Sequence, residues 1–170
     1  LGNYKTKENT VWAAINKHNF AIDGQHSNTE WISDRTVRDG CSKRRPDLLL
    51  DLGDKCIIVE IDEDKHDTYS EICERNRIIE LQQDLAEFTP DEGFMLRPIV
   101  MVRINPDAYK TQEGVRVPSC WVYNKLHVFV VPKERQKEWE HRLQVLFDTI
   151  QYHIDSDSVR DVEIVELFYE

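Results

Sequence analysis

Two acidic side chains, Glu60 and Asp62, interrupt a short segment, residues 57–62, that is otherwise apolar. Successive side chains of a β-strand point to opposite faces of the sheet, so these two carboxyl groups would share one face. A strand this apolar is expected in the middle of a sheet, where the two acids would lose hydration and repel each other. A bound cation would relieve both costs, because Mg²⁺ takes oxygen ligands and commonly uses one or two carboxylates. The segment therefore predicts a site for Mg²⁺ or Mn²⁺.

A third acid, Asp47, begins the preceding apolar segment directly after Pro46. Gly53 and Asp54 join the two segments, and such residues are typical of a tight turn between antiparallel strands. Counting outward from that turn places Asp47 directly opposite Glu60 on the same face of the sheet, although a β-bulge would shift the register by one residue. The alternative interpretation puts Glu60 and Asp62 at the solvent end of an edge strand, paired with lysine or arginine.

Such a cluster of oxygen ligands suits phosphodiester hydrolysis, since a metal ion can activate water and stabilise the charge that develops on the phosphate. Asp47 and Glu60 are the expected metal ligands, joined by the carbonyl oxygen of Ile61. Asp62 would orient a water molecule or act as a further ligand.

Three other side chains are candidates for proton transfer or for holding the phosphate. Lys65 and His66 follow the strand directly. A histidine after a strand is usually a polar loop residue, but three nearby acids favour a role as general acid or base. Glu8, in the first predicted helix, could reach the metal or its water, and a solvated helix residue is the alternative.

Several basic residues precede Asp47, although the chain carries a formal net charge of −10. That charge argues against nucleic-acid binding through a globally basic surface and leaves room for a local basic patch. Four residues are candidates for binding backbone phosphates: Lys43, Arg44, Arg45 and Arg103. Two arginines of the next predicted helix would balance the acidic site or form surface pairs: Arg75 and Arg77.

The chain of 170 residues, 40% hydrophobic and 32% charged, suits one domain, residues 1–170, which we expect to be part of a longer protein. Apolar spacing and turn residues predict helices and strands: helices at 5–20, 67–86 and 134–154, and strands at 30–37, 47–52, 55–62, 98–104, 121–123, 127–131 and 161–169. This order indicates an α/β or α+β layered domain. No apolar run approaches the roughly 20 residues of a membrane helix. Four cysteines without a CxxC pair indicate free thiols in an intracellular protein.

The sequence Arg45-Pro46-Asp47, followed by Glu60-x-Asp62-x-x-x-His66, resembles the PD-(D/E)XK nucleases. Within that superfamily it is most similar to the very-short-patch-repair endonucleases. The resemblance implies a restriction-endonuclease-like fold, in which helices flank a mixed central sheet, and Mg²⁺-dependent cleavage of nucleic acid, DNA in particular, with a homodimer as one possible assembly.

One position departs from the superfamily pattern, because Asp62 replaces the motif lysine. The subgroup accepts that replacement and uses a histidine, which makes His66 the expected substitute, with Lys65 as the other candidate. In the same subgroup a helical glutamate precedes the core, as Glu8 does here, and a later strand ends in an arginine, as at Arg103.

Four stretches of the chain resemble a second family, which occurs in giant viruses, protists and algae and has no established activity: residues 40–47, 103–107, 119–121 and 167–169. Three functions are therefore considered. The first is a metal-dependent nuclease, expected to be a DNA endonuclease. The second is a nuclease-fold module that has lost catalysis and binds nucleic acid or protein, and the third is a domain with a structural cation.

Overall fold

The computed structural model describes residues 6–23, 30–33, 46–63, 71–158 and 160–170, with the backbone alone for 71–74. Three helices lie within these ranges: α1 (Thr6–Lys17), α2 (Glu71–Asp84) and α3 (Gln136–Asp155). Five strands form the main sheet: β1 (Trp31–Ser33), β2 (Leu48–Asp51), β3 (Cys56–Ile61), β6 (Ile99–Ile104) and β11 (Val162–Leu167). Six shorter strands form three hairpins: β4 (Glu87–Thr89) with β5 (Gly93–Met95), β7 (Tyr109–Lys110) with β8 (Arg116–Val117), and β9 (Val122–Tyr123) with β10 (Phe129–Val130).

The main sheet is mixed, in the order β1-β2-β3-β6-β11. The first three strands pair antiparallel, whereas β3 pairs parallel with β6, and β6 parallel with β11. Parallel strands need a crossover, which α2 supplies between β3 and β6 and α3 supplies between β6 and β11. The carboxyl ends of β3, β6 and β11 therefore meet at one edge of the sheet, here called the carboxyl edge.

Helices cover both faces of the sheet because β3 and β6 are apolar on both faces. On one face, Ile57 and Val59 of β3 pack in one core with Val11 of α1 and Leu146 of α3. On the other face, Ile58 packs in a second core with residues of α2 such as Leu81. The predicted alternation of β3 is thus confirmed, and the chain has the α+β class with a mixed sheet between helices.

Several predicted boundaries were wrong. The first helix ends at Lys17 instead of residue 20, and the helix predicted at 134–154 begins with a short 3-10 turn, Lys133–Arg135. The described part of the first predicted strand covers Trp31–Ser33 only. The hairpins β4–β5 and β7–β8 were not predicted, because their strands have two or three residues and show no periodic pattern. In the described ranges, no helix is long and apolar enough to cross a membrane.

Candidate functional site

The hairpin β2–β3 has the register that its turn predicted. Leu48 pairs with Val59 and Asp51 with Cys56, so that Asp47, which precedes Leu48, comes beside the end of β3. The backbone N–H of Ile61 donates a hydrogen bond of 2.8 Å to Oδ2 of Asp47. This bond fixes the Asp47 carboxylate against β3.

Glu60 points to the face that α2 covers, and its side chain is 13% exposed. Arg77 of α2 forms an ion pair with Oε1 of Glu60. Arg103 lies beside Glu60 on the neighbouring parallel strand β6. Burial is the main reason that the pKa of Glu60 is raised to about 7. Asp47 contributes to this rise in the pKa, whereas Arg77 and Arg103 oppose it. Two guanidinium groups therefore do not offset the cost of burying this carboxylate.

Asp62 lies one residue beyond β3 and is 7% exposed. Its backbone N–H donates to the carbonyl of Ile104 over 2.9 Å, which continues the pairing of β3 with β6. Its Oδ2 accepts a hydrogen bond from the hydroxyl of Tyr169, which follows β11. Burial, together with the bond to Asp62, raises the pKa of Tyr169 and keeps the hydroxyl protonated as a donor. Asp62 is thus held by the segment that follows the C-terminal strand.

A second polar cluster at the carboxyl edge is centred on Lys7 of α1, which is 5% exposed. Its Nζ forms ion pairs with Asp107 at 2.8 Å and with Glu63 at 3.1 Å. Asp107 also accepts a hydrogen bond from Ser119. Lys7 was not among the predicted site residues, although it shares a helical stripe with Val11 and Ile15, the two buried apolar residues of α1.

The loop after β6 is held by Arg142, a fully buried residue of α3. Its Nη1 donates to the carbonyl oxygens of Asn105 and Asp107, each over 2.8 Å, and its Nε donates to Glu138 over 3.0 Å. Arg142 thereby positions Asp107, the partner of Lys7. An arginine at helical spacing from the buried residues Trp139, Leu146 and Ile150 was the sequence signal for this role.

The structure describes some of the predicted site residues and not others. Asp47 and Glu60 lie together on β2–β3, as predicted, while Asp62 is held toward β11. Arg103 lies between Glu60 and Glu166, and its side chain is 12% exposed. Glu8 lies on α1, partly exposed, next to Lys7. The others lie outside the described residues: Lys43, Arg44, Arg45, Lys65 and His66.

The side chains at the end of β3 fit an oxygen-preferring cation in their donor chemistry. Asp47 and Glu60 offer carboxylate oxygens, and burial raises the pKa of Glu60 despite its two arginines, an effect that a bound cation would oppose. Within the described ranges, no three carboxylate, thiol or imidazole groups converge into a metal-binding group by themselves. A cation held here would use two carboxylates, the Ile61 carbonyl and water, as is common for Mg²⁺.

No family model matches the chain, and no curated protein or solved structure is detectably similar to it.

Proposed function

We propose that the chain is a divalent-metal-dependent nuclease that hydrolyses phosphodiester bonds, with DNA as its substrate. The observation that carries the proposal is the placement of Asp47 beside Glu60, two acids from neighbouring strands at the end of an apolar, buried hairpin. Asp47, Glu60 and the Ile61 carbonyl would hold Mg²⁺ or Mn²⁺. When bound, the metal supplies Lewis-acid stabilisation of phosphate charge and lowers the pKa of water.

The remaining residues take roles that follow from their positions. Asp62, fixed by Tyr169, orients a water molecule beside the metal ligands. Lys65 and His66 follow Asp62 within a few residues and act as proton donor or phosphate contact in place of the missing motif lysine. Arg44 and Arg45 would bind the phosphate backbone, and the mixed sheet between helices supports a restriction-endonuclease-like fold.

The test is nicking of supercoiled plasmid by the purified chain in Mg²⁺ or Mn²⁺. Asp47→Asn and Glu60→Gln should each lower the rate by more than the roughly 10- to 100-fold that outer-shell partners of a metal cost. The matched control is Asp54→Asn, an exposed acid at the turn of the same hairpin, which should cleave like the parent. Circular dichroism checks that all three variants fold.

The alternative function is a binding module that keeps the fold without catalysis. It is favoured by one observation, namely that Glu60 and Asp62 each already have a protein partner, Arg77 and Tyr169. Failure to cleave double-stranded DNA, single-stranded DNA or RNA in either metal, together with a melting temperature that chelator leaves unchanged, would decide for this alternative. A structural cation would instead show as a lower melting temperature in chelator, again without cleavage.

A further inference from the structure

One segment of this acidic chain, residues 115–137, has the opposite charge. It contains five lysine and arginine residues and one acid, Glu134, hence a net charge of +4, whereas the whole chain carries −10. Most of these basic side chains are exposed: Arg116, Lys125, Lys133 and Lys137. Such a local excess of positive charge would attract a polyanion, although the net negative charge of the whole chain would repel it.

The same segment exposes apolar and aromatic side chains on the hairpin β9–β10. Tyr123 is 58% exposed and stacks on Phe129, with ring centroids 4.0 Å apart and an angle of 27° between the planes. At the hairpin tip, Leu126 is 80% exposed and lies between Lys125 and His127. A planar ring beside lysines can stack on a base while the lysines contact the flanking phosphates.

The hairpin is fixed next to the carboxyl edge. The Nζ of Lys7 lies 4.5 Å from the centre of the Phe129 ring, in a cation–π contact. The same ammonium group binds Glu63, two residues beyond β3, and Asp107, three residues beyond β6. A short chain of contacts thus connects Tyr123, through Phe129 and Lys7, to Glu63, just beyond the end of β3.

We infer that residues 115–137, the basic hairpin surface, bind the phosphate backbone of a nucleic acid, with Tyr123 stacked on an unpaired base. The inference deepens the proposed nuclease function and rests on it, because it assigns the surface that brings the strand to the carboxyl edge. The positive charge of this surface favours a polyanion as its partner, because the rest of a chain of net charge −10 would repel one. The exposed ring of Tyr123 favours a nucleic acid over an acidic protein, because bases stack on aromatic rings.

The experiment measures binding of fluorescein-labelled oligonucleotides by anisotropy in EDTA, where the proposed hydrolysis cannot proceed. Single-stranded DNA, single-stranded RNA and duplex DNA of one sequence are titrated at several NaCl concentrations. One triple variant removes charge from the basic hairpin surface, and a matched triple variant removes the same charge from exposed positions elsewhere: Lys125→Ala, Lys133→Ala and Lys137→Ala against Lys17→Ala, Lys110→Ala and Arg160→Ala.

The surface variant should bind single strands more weakly and with a shallower salt dependence, its log–log slope smaller by about 2 for three lost phosphate contacts. The control triple variant should keep the slope of the parent. Tyr123→Ala should weaken the binding of single strands by roughly tenfold, since loss of one base–aromatic stack lowers affinity by about that factor. The affinity for duplex DNA should change little. Tyr152→Ala, which removes an exposed tyrosine of α3, should bind like the parent.

Equal losses in both triple variants, or unchanged binding in the surface variant, would overturn the inference. Binding of the parent to phosphatidylserine vesicles but to none of the oligonucleotides would also overturn it. The proposed function fails separately. If the parent protein binds oligonucleotides through this surface but never cleaves them, the inference stands and the proposed nuclease function is wrong. If the surface variant cleaves as fast as the parent, the nuclease function stands and the inference is wrong.

Discussion

Replacing Arg142 with methionine tests how the carboxyl edge is held together. Methionine keeps much of the length and apolar volume of the side chain and removes its guanidinium group. The variant leaves the carbonyl oxygens of Asn105 and Asp107 in the interior without their donor. The rings of Tyr109 and Phe168, each centred 5.2 Å from the guanidinium carbon, also lose a cation–π partner.

The expected loss follows from these contacts. Hydrogen bonds that involve a charged group contribute about 1.5–3 kcal/mol each. Two such bonds to buried carbonyls, both of 2.8 Å, predict a loss of about 3–6 kcal/mol. Because domains have total stabilities of about 5–15 kcal/mol, we expect Arg142→Met to be folded but strongly destabilised.

Urea unfolding followed by circular dichroism measures the change, with the m-value as a check that the transition remains two-state. The matched control is Lys137→Met, which removes one positive charge from an exposed position of the same helix. Surface substitutions usually change the free energy of unfolding by no more than about 0.5 kcal/mol. If the free energies of unfolding of Arg142→Met and this control differ by no more than that, the buried guanidinium does not stabilise the loop after β6.

Two further predictions concern pH. In EDTA, the free energy of unfolding of Glu60→Gln minus that of the parent should rise by about 3 kcal/mol between pH 4 and pH 8, because the folded-state pKa of Glu60 is raised from 4.5 to about 7. The contribution of the neutral carboxyl is complete below pH 4.5 and is lost as pH rises through 7; a constant difference would contradict this. Burial lowers the pKa of His153 below 6.5, so the stability it contributes is present above that pH and is lost on acidification. His153→Gln should therefore lose less stability than the parent on acidification from pH 7 to pH 5 in urea titrations, and an equal loss would contradict the assignment.

The part of the site that could be predicted from sequence is the part that local rules determine. The turn at Gly53 and Asp54 sets the hairpin register, and the two-residue period of β3 then assigns Glu60 to one face. These are short-range constraints, and they placed Asp47 beside Glu60 without knowledge of the rest of the chain.

The part that could not be predicted depends on contacts between distant segments. Tyr169 reaches Asp62 across 107 residues, and Lys7 reaches Asp107 across 100. Neither pair has a local signal, because each depends on which strands lie side by side in the sheet. Arg77 was predicted to balance the acidic site or to form a surface pair, and its ion pair with Glu60 confirms the first alternative. The packing of α2 on the sheet decides between a role in balancing the acidic site and a surface pair, and the residues around Arg77 in the sequence do not specify that packing.

The charge balance around Glu60 favours the metal site over the inactive module. A carboxylate retained only to pair with arginine would have its ionised form favoured by that partner. Glu60 has Arg77 in direct contact and Arg103 beside it in the register, yet burial and the neighbouring Asp47 still outweigh both cations. Neither carboxylate belongs to the apolar cores, although Asp47 accepts the hydrogen bond from the backbone N–H of Ile61. The divalent cation of the proposed function would add more charge at this position than Arg77 does and would accept both carboxylates at once.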